Sequence, residues 1–345
     1  MVTKRAWSVW DELGAFEVQG MDANPSIWDG RPALYLNDCT AFLRETFDLS
    51  SFRLQADIAC PSSLGFAGLV FGARDYETFE LVYVSPDHKG RPGEIQYDPF
   101  MNGSSTWQVY HGPAYQAAAP LEPGRWSRLT LDVQPNGVAI TVGDAPAPQL
   151  VIRRLQLGHP VGRIGLWSHL PAYFRNFTVE AAEPYPIEPA VPDLSRLAED
   201  GFVTEWRVSE PYSIQESAST VLPDEDCWSR ALVEENGTLN LNRLYSSEAG
   251  RAVQVLCTVH ASVQGESVLS FGYSDQIRLW VNGEEVYRGL WKWDPPADDG
   301  RIRPNHATAT VRLHAGSNTI RAEVASLETI FGWGICLKTD LMARS

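Results

Sequence analysis

The segment 91–111 holds the densest mixture of aromatic and polar side chains in the chain. Trp and Tyr rings stack on the apolar face of a sugar ring, while amides, carboxylates and guanidinium groups bond its hydroxyls. Such a mixture is typical of a site for a neutral polyhydroxylated ligand. With two residues from neighbouring predicted strands, the predicted ligand-binding residues are Arg74, Tyr83, Gln96, Tyr97, Asn102, Trp107 and Tyr110.

The same rings have a second interpretation. In a β-sandwich, Tyr97, Trp107 and Tyr110 would pack as cross-strand partners and read no ligand at all. The two interpretations differ in the exposure of Trp107, because truncating an exposed ring costs binding and truncating a core ring costs stability.

Carboxylates near this segment offer a weaker hypothesis of catalysis. Glu80 could act with Glu94 or Asp98 as a non-sequential acid and base pair. Their spacing along the chain does not show whether they meet, so they stay weak catalytic candidates.

Motifs for cofactors and transition metals are missing from the sequence. There is no phosphate-binding or dinucleotide glycine loop, no nucleophile elbow and no paired-histidine zinc motif. The closest cysteines, Cys39 and Cys60, are too far apart for a zinc pair. We expect no cofactor and no metal site. Calcium is possible at Asp224–Asp226 or Asp298–Asp299, but we favour solvated acidic loops there.

Two alternate tryptophans, Trp291 and Trp293, lie in a proline-bounded loop. They could form an exposed stacking surface or bury themselves against the first domain. The sequence leaves both interpretations open.

Length and charge narrow the classes of partner. A chain of 345 residues suggests two domains, and a net charge of −15 disfavours nucleic acid and anionic membranes. No apolar run reaches the length of a membrane span, and no apolar stretch follows the basic residues near Met1. We therefore expect a cytoplasmic protein, or a secreted one if a leader has been removed, and its oligomeric state is left open.

The elements that position these residues are strands. Residues 52–58 alternate apolar and polar side chains, and Asn-Gly turns at 136–137 and 282–283 join further alternating runs. Four prolines within 184–192 indicate a stiff linker, and Asp193 is a candidate cap for one short helix after it. The predicted fold is all-β, with two antiparallel β-sandwich (jelly-roll) domains joined by a Pro-rich linker.

Two stretches resemble known families. Residues 162–167 and 173–177, together with 68–71 and 79–84, resemble strands of concanavalin A-like (LamG-like) lectin and glucanase domains over about 28–182. The second half, about 203–342, resembles galactose-binding-like jelly rolls appended to glycosidases, on the motifs at 275–283, 313–320 and 332–334.

The resemblance implies a concanavalin A-like domain at 1–182, a linker at 183–200 and a galactose-binding-like jelly roll at 201–345. The retaining glucanases of the first fold carry a Glu-x-Asp-x-x-Glu strand, and residues 75–80 depart from that order. We therefore expect a carbohydrate-binding protein that takes a neutral glycan on its first domain without catalysis. The alternatives are a glycoside hydrolase or polysaccharide lyase, and a structural or protein-interaction module.

Overall fold

A computed structural model describes residues 4–88, 90–183, 185–214 and 227–340. Strands make up 55% of it and helices 4%. Every strand pairing in the described residues is antiparallel. The prediction of an all-β, antiparallel fold is confirmed.

The chain forms two compact units that do not follow its order strictly. Unit 1 comprises Met1–Phe100 and His111–Val191, and unit 2 comprises Met101–Tyr110 and Pro192–Ser345. The sequence prediction placed 101–110 in the first domain, whereas this segment has its contacts in unit 2. Three of the predicted ligand-binding residues are thereby separated from the other four.

Unit 1 is one antiparallel sheet in the order β11-β10-β9-β4-β13-β3-β12-β5-β6-β7-β8, with β1 on β13 and β2 on β3. A 3-10 turn spans Leu13–Ala15. The strands are β1 (Arg5–Trp7), β2 (Phe16–Trp28), β3 (Arg31–Leu43), β4 (Phe52–Ala59), β5 (Phe66–Ala73), β6 (Glu80–Ser85), β7 (Glu94–Tyr97), β8 (Gln116–Ala118), β9 (Ser127–Gln134), β10 (Gly137–Val142), β11 (Leu150–Ile152), β12 (Arg163–His169) and β13 (Ala172–Ala181).

Alternation along the strands produces the two faces of this sheet. In β4, Phe52, Leu54 and Ala56 are buried in the core, while Arg53 faces outward and forms a two-pronged ion pair with Asp132 of β9. The period-2 pattern seen in the sequence therefore separates apolar from polar side chains as expected.

Unit 2 holds the remaining elements, with a second 3-10 turn at Leu241–Arg243. They are α1 (Leu194–Glu199), β14 (Glu205–Ser209), β15 (Tyr212–Ser213), β16 (Trp228–Leu232), β17 (Thr238–Asn240), β18 (Arg251–Ala261), β19 (Gly265–Ser274), β20 (Gln276–Val281), β21 (Glu284–Leu290), β22 (Trp293–Asp294), β23 (Asp298–Asp299), β24 (Ala307–Leu313), β25 (Gly316–Ser326) and β26 (Gly334–Thr339).

Two sheets of unit 2 enclose a common core. One has the order β16-β14-β18-β25-β20-β21, with β15 on β18, and the other has the order β17-β26-β19-β24. Buried Ile277 of β20 and Phe271 of β19 belong to the same apolar cluster, together with Trp206 and Trp333. Unit 2 is therefore a β-sandwich.

Local signals of the second half are also borne out. Asn282 and Gly283 both have positive φ and join β20 to β21 as a two-residue hairpin loop. The Asp193 carboxylate accepts the backbone N–H of Arg196 and caps α1. No helix among the described residues is long and apolar enough to cross a membrane.

Gly272 of β19 allows another segment to cross the strand. A Cβ at this position would lie 2.1 Å from the carbonyl oxygen of Arg303, which is too close for any side chain. Gly265 begins the same strand and has open space around it. Alanine substitutions at these two glycines therefore separate the effect of the close approach at Gly272 from the effect of strand propensity.

We expect Gly272→Ala to lower the free energy of unfolding by about 1–3 kcal/mol, because the 303 backbone must move. Gly265→Ala should leave it unchanged or raise it by up to about 1 kcal/mol. Urea unfolding of both variants is the measurement. Equal effects of the two substitutions would show that the crossing at Gly272 is not tight.

Candidate functional site

The segment Met101–Tyr110 is tied to the loops of unit 2 through both main chain and side chains. Asparagine side chains donate two of the hydrogen bonds, and backbone N–H groups donate the other two. These bonds run from Asn102 Nδ2 to the Asn242 oxygen at 2.7 Å, from Asn236 Nδ2 to the Val109 oxygen at 2.7 Å, from Ser105 N to the Ile330 oxygen at 3.0 Å and from Ile302 N to the Gln108 oxygen at 3.0 Å.

Tyr110 anchors the end of the segment. Its side chain is fully buried, and its hydroxyl accepts hydrogen bonds from Arg243 at 3.1 Å and from Asn240 at 3.4 Å. Arg243 also donates to the buried carboxylate of Glu234 at 3.0 Å. Burial raises the pKa of Tyr110 well above its ordinary value, and the charge of Glu234 adds to the effect. Tyr110 is therefore a structural anchor in this conformation.

Three aromatic rings meet beside the anchored segment, and we call Trp107, Phe331 and Trp293 the aromatic cluster. The Trp107 and Phe331 ring centroids are 5.6 Å apart, and those of Trp293 and Phe331 are 5.8 Å apart. The guanidinium carbon of Arg301 lies 5.0 Å from the Trp107 ring centroid. Trp293 is 45% exposed, so the cluster presents an apolar surface to solvent.

Gln108 places an amide behind this surface. The residue is fully buried, and neither amide atom has a hydrogen-bond partner among the described residues. Gly300, at φ +64°, permits its approach, since a Cβ there would lie 2.5 Å from Gln108 Nε2 and 2.9 Å from the Trp293 nitrogen. A buried amide without hydrogen-bond partners lowers the stability of the folded state. Such losses of stability are common at functional sites.

A pair of carboxyl groups, Asp275 and Glu328, borders the aromatic cluster. The Glu328 backbone N–H donates to Asp275 Oδ2 at 3.2 Å, and the Trp293 backbone N–H points to Glu328 Oε2 at 3.4 Å. Burial and the charge of Asp275 raise the pKa of Glu328 to about 7. Burial also raises the pKa of Asp275. The pair therefore carries less than two negative charges at neutral pH.

Of the two loop tryptophans, Trp291 faces inward and Trp293 faces out. Trp291 Nε1 donates to the Arg301 oxygen at 3.0 Å, and its ring centroid lies 4.1 Å from that of His306. The sequence left open whether these rings are exposed or buried against the first domain. Trp293 is exposed, and Trp291 packs on Arg301 and His306 of its own unit.

The possible calcium ligands are placed only in part. Asp299 is engaged by Arg303 in two hydrogen bonds of 2.8 and 2.5 Å, which lower its pKa to about 2. Asp224–Asp226 lie outside the described residues. Among the residues that are described, no group of three or more His, Cys, Asp or Glu side chains could hold a metal ion.

The remaining predicted ligand residues stay in unit 1. Tyr83 and Gln96 are register partners on β6 and β7, and the half-buried Tyr83 ring packs 5.5 Å from that of Trp167. Arg74 is exposed, with a guanidinium nitrogen 3.4 Å from His159. Gln96 is fully buried and its Nε2 donates to the Tyr97 oxygen at 2.6 Å, so only Tyr83 of this register pair is partly exposed, next to Trp167, which was not predicted as a ligand residue.

Tyr97 has a different environment from the one expected of a stacking ring. It is fully buried, its hydroxyl donates to Glu80 at 2.5 Å, and that hydroxyl accepts the backbone N–H of Gln156 at 2.8 Å. Tyr97 thus joins the core of unit 1, as the packing interpretation required.

The three weak catalytic candidates are held in structural roles. Glu80 is fully buried, and besides Tyr97 it accepts the backbone N–H of Leu157 at 2.8 Å. Asp98 is 2% exposed. Glu94 is half-buried and accepts the Gln116 amide at 2.6 Å. Glu80 and Asp98 therefore have no open path to a substrate in this conformation.

Sequence reasoning did not identify Gln108, Asp275, Arg301, Glu328 or Phe331 as candidate site residues. Asp275 and Phe331 adjoin motifs that carried the jelly-roll resemblance, at 275–283 and 332–334. That position was the one available signal, because loops next to such strands commonly carry function.

No family model and no curated protein matches the chain. Solved structures similar to it include a carbohydrate-binding module, CBM66, from Bacillus subtilis (17% identity, TM-score 0.37, 48% of this chain and 95% of that one). A protein of unknown function with a galectin-like fold from Bacillus subtilis has 15% identity and a TM-score of 0.39, covering 53% of this chain and 97% of that one. A family 16 endo-glucanase from Bacteroides ovatus has 10% identity and a TM-score of 0.38, covering 53% of this chain and all of that one. At such low similarity these neighbours assign neither a family nor a function to the chain.

The anchor role of Tyr110 is testable by removing one oxygen atom. We expect Tyr110→Phe to lower the free energy of unfolding by about 1–3 kcal/mol, because Arg243 loses a buried acceptor. Tyr185→Phe, at an exposed tyrosine, should change it by less than about 0.5 kcal/mol. Denaturant unfolding measures both, and no loss in the Tyr110 variant would contradict the anchor.

Proposed function

We propose that the protein binds a neutral glycan at the aromatic cluster of unit 2. The observation that carries this proposal is the exposed Trp293 ring packed near Phe331, which also contacts Trp107, with a Glu328 carboxyl oxygen facing the Trp293 backbone N–H. Sugar sites combine these two parts, since the ring faces cover C–H groups and the polar groups orient hydroxyls.

The charges around the cluster favour a neutral ligand. Arg301 lies over the Trp107 ring, and the carboxyl groups of Asp275 and Glu328 supply negative charge beside Trp293. The whole chain carries a net charge of −15, which would repel an anionic polymer at long range. The proposal rests on these groups and not on the neighbouring structures.

A surface of unit 1 is the second candidate location for glycan binding. Phe66, Tyr83 and Trp167 form a partly exposed aromatic row, with Tyr83 5.6 Å from Phe66 and 5.5 Å from Trp167. This row contains Tyr83, one of the residues that the sequence predicted to bind a ligand. Its three rings are half-buried, whereas Trp293 is 45% exposed, and we therefore rank it second.

Hydrolysis or elimination by the carboxylates of unit 1 has less support. Glu80 and Asp98 are enclosed, and a general acid must reach the bond that it protonates. Product analysis of any bound oligosaccharide tests this alternative directly.

The proposal is tested by a glycan array with the full chain, followed by calorimetry on the strongest neutral oligosaccharide. Trp293→Ala should weaken binding about tenfold, since an aromatic contact is worth on the order of 1 kcal/mol and 1.4 kcal/mol is a factor of ten. Its melting temperature should be unchanged, because Trp293 is exposed.

Tyr83→Ala is the matched variant for the unit 1 surface, and we expect it to bind as the wild type does. Loss of binding in Tyr83→Ala with full binding in Trp293→Ala would move the site to unit 1. Absence of any glycan bound by the wild type would overturn the proposal.

A further inference from the structure

One sheet of unit 2, which contains β18, β25 and β20, turns its second face away from the apolar core. In β25, Ile320 and Ala322 belong to the core cluster, so Arg321 between them lies on the opposite, outer face. Trp280 is the register partner of Arg321 on β20 and lies on the same face. Although this face is on the outside of the sandwich, Trp280 is only 5% exposed. Neighbouring side chains on the outer face therefore cover its indole ring.

Two arginines cover the Trp280 ring. The guanidinium carbon of Arg321 lies 3.8 Å from the ring centroid, and that of Arg278 lies 4.7 Å from it. A guanidinium that lies against an aromatic ring uses its flat face for that contact and keeps the N–H groups in its plane for hydrogen bonds. The role of each arginine therefore depends on the acceptors that its N–H groups find.

The two arginines differ in their acceptors. Arg278 donates to Glu285 Oε2 at 2.6 Å, and its Nη1 lies 3.9 Å from Glu323 Oε1. Arg321 donates at 3.1 Å to Oε1 of Gln254, a residue that is 5% exposed. Among the residues that the structure describes, Arg321 has no other hydrogen-bond acceptor and no ion-pair partner. Arg278 is thus neutralised within the chain, whereas Arg321 is a positioned, partly exposed cation with N–H groups to spare.

The pKa values on this face agree with that difference. Burial lowers the pKa of Arg321 from its ordinary value, and the nearby charge of Glu323 opposes this only in part. In contrast, the hydrogen bond with Glu285 raises the pKa of Arg288 on the same face. An anion bound to Arg321 would offset the burial of its charge, as Glu285 does for its own partners.

The outer face of this sheet also carries the opposite charge to the chain as a whole, whose net charge is −15. Arginines outnumber glutamates on the two cross-strand rows that run from β14 to β21. The arginines are Arg207, Arg278, Arg288 and Arg321, and the glutamates are Glu285 and Glu323. Charges farther away than about 8 Å are largely screened at physiological ionic strength. A small anion at Arg321 is therefore attracted by the local positive charge.

We propose that Arg321, held in place by Trp280 and Gln254, binds the carboxylate group of a small ligand. The planar fork of guanidinium N–H groups matches the two oxygens of a carboxylate, and such bidentate pairs are among the strongest hydrogen bonds in proteins. The ligand is a small organic acid or a single acidic sugar, which present the same group. The site shares no residue with the aromatic cluster, so the inference is independent of the proposed function.

The experiment is an NMR titration of the full chain, labelled with ¹⁵N at arginine and tryptophan, with sodium glucuronate, sodium acetate and glucose at constant ionic strength. We expect the Nε–H signal of Arg321 and the indole N–H signal of Trp280 to shift with both acids and to stay in place with glucose. Tighter binding of glucuronate than of acetate assigns the site to an acidic sugar, and equal binding assigns it to a carboxylate alone. Signals that do not move with either acid would overturn the proposal.

A conservative substitution tests the fork of N–H groups. Arg321→Lys keeps the charge but loses the planar fork, and it should weaken glucuronate binding about tenfold, as followed by the Trp280 signal. Arg312→Lys, at an exposed arginine of β24, is the matched control and should bind as the wild type does. Melting temperatures verify that both variants fold, and if Arg321→Lys does not, through-bond spectra assign the Arg321 signal in the wild type. Equal affinity of folded Arg321→Lys and wild type would contradict the site.

Discussion

The contact of Arg243 with the buried side chains of Tyr110 and Glu234 is the constraint on which the site depends. A buried carboxylate is tolerated only when it is paired, and here the partly exposed guanidinium of Arg243 bonds that carboxylate and a phenol from a separate part of the chain. This pairing fixes the end of Met101–Tyr110 in unit 2. Trp107 and Gln108 are held in place by the same anchor, although the sequence around them belongs to unit 1.

The strands of unit 2 pack around an apolar core. The residues whose polar groups lack partners or repel one another lie in its loops. Gln108 lacks partners for a buried amide, and the carboxyl group of Asp275 is buried beside a second acidic residue, Glu328. Both features cost stability, while the apolar core between the sheets supplies it. Trp293 remains exposed, which a chain optimised for stability alone would avoid.

The strands were predictable because a strand with one buried face alternates apolar and polar residues along the sequence. Residues 52–58 and the Asn282-Gly283 turn are examples, as is the Asp193 cap. The site was predictable only in part, because Trp107 and Gln108 lie more than 150 residues before its other members. Trp107 was chosen for its type, but nothing local shows that Phe331 packs on it. Tyr97 and Tyr110 have the same composition signal and are buried, since residue type does not report which face of an element turns inward.

The most direct test of the site is an NMR titration of the full chain, labelled with ¹⁵N at tryptophan, with the strongest neutral oligosaccharide from a glycan array. Indole N–H signals are assigned by single Trp→Phe variants. If the ligand binds the aromatic cluster, the signals of Trp107 and Trp293 shift in proportion to its occupancy, and that of Trp167 in unit 1 stays in place. Shifts confined to Trp167, with Trp107 and Trp293 unmoved at saturation, would contradict the account.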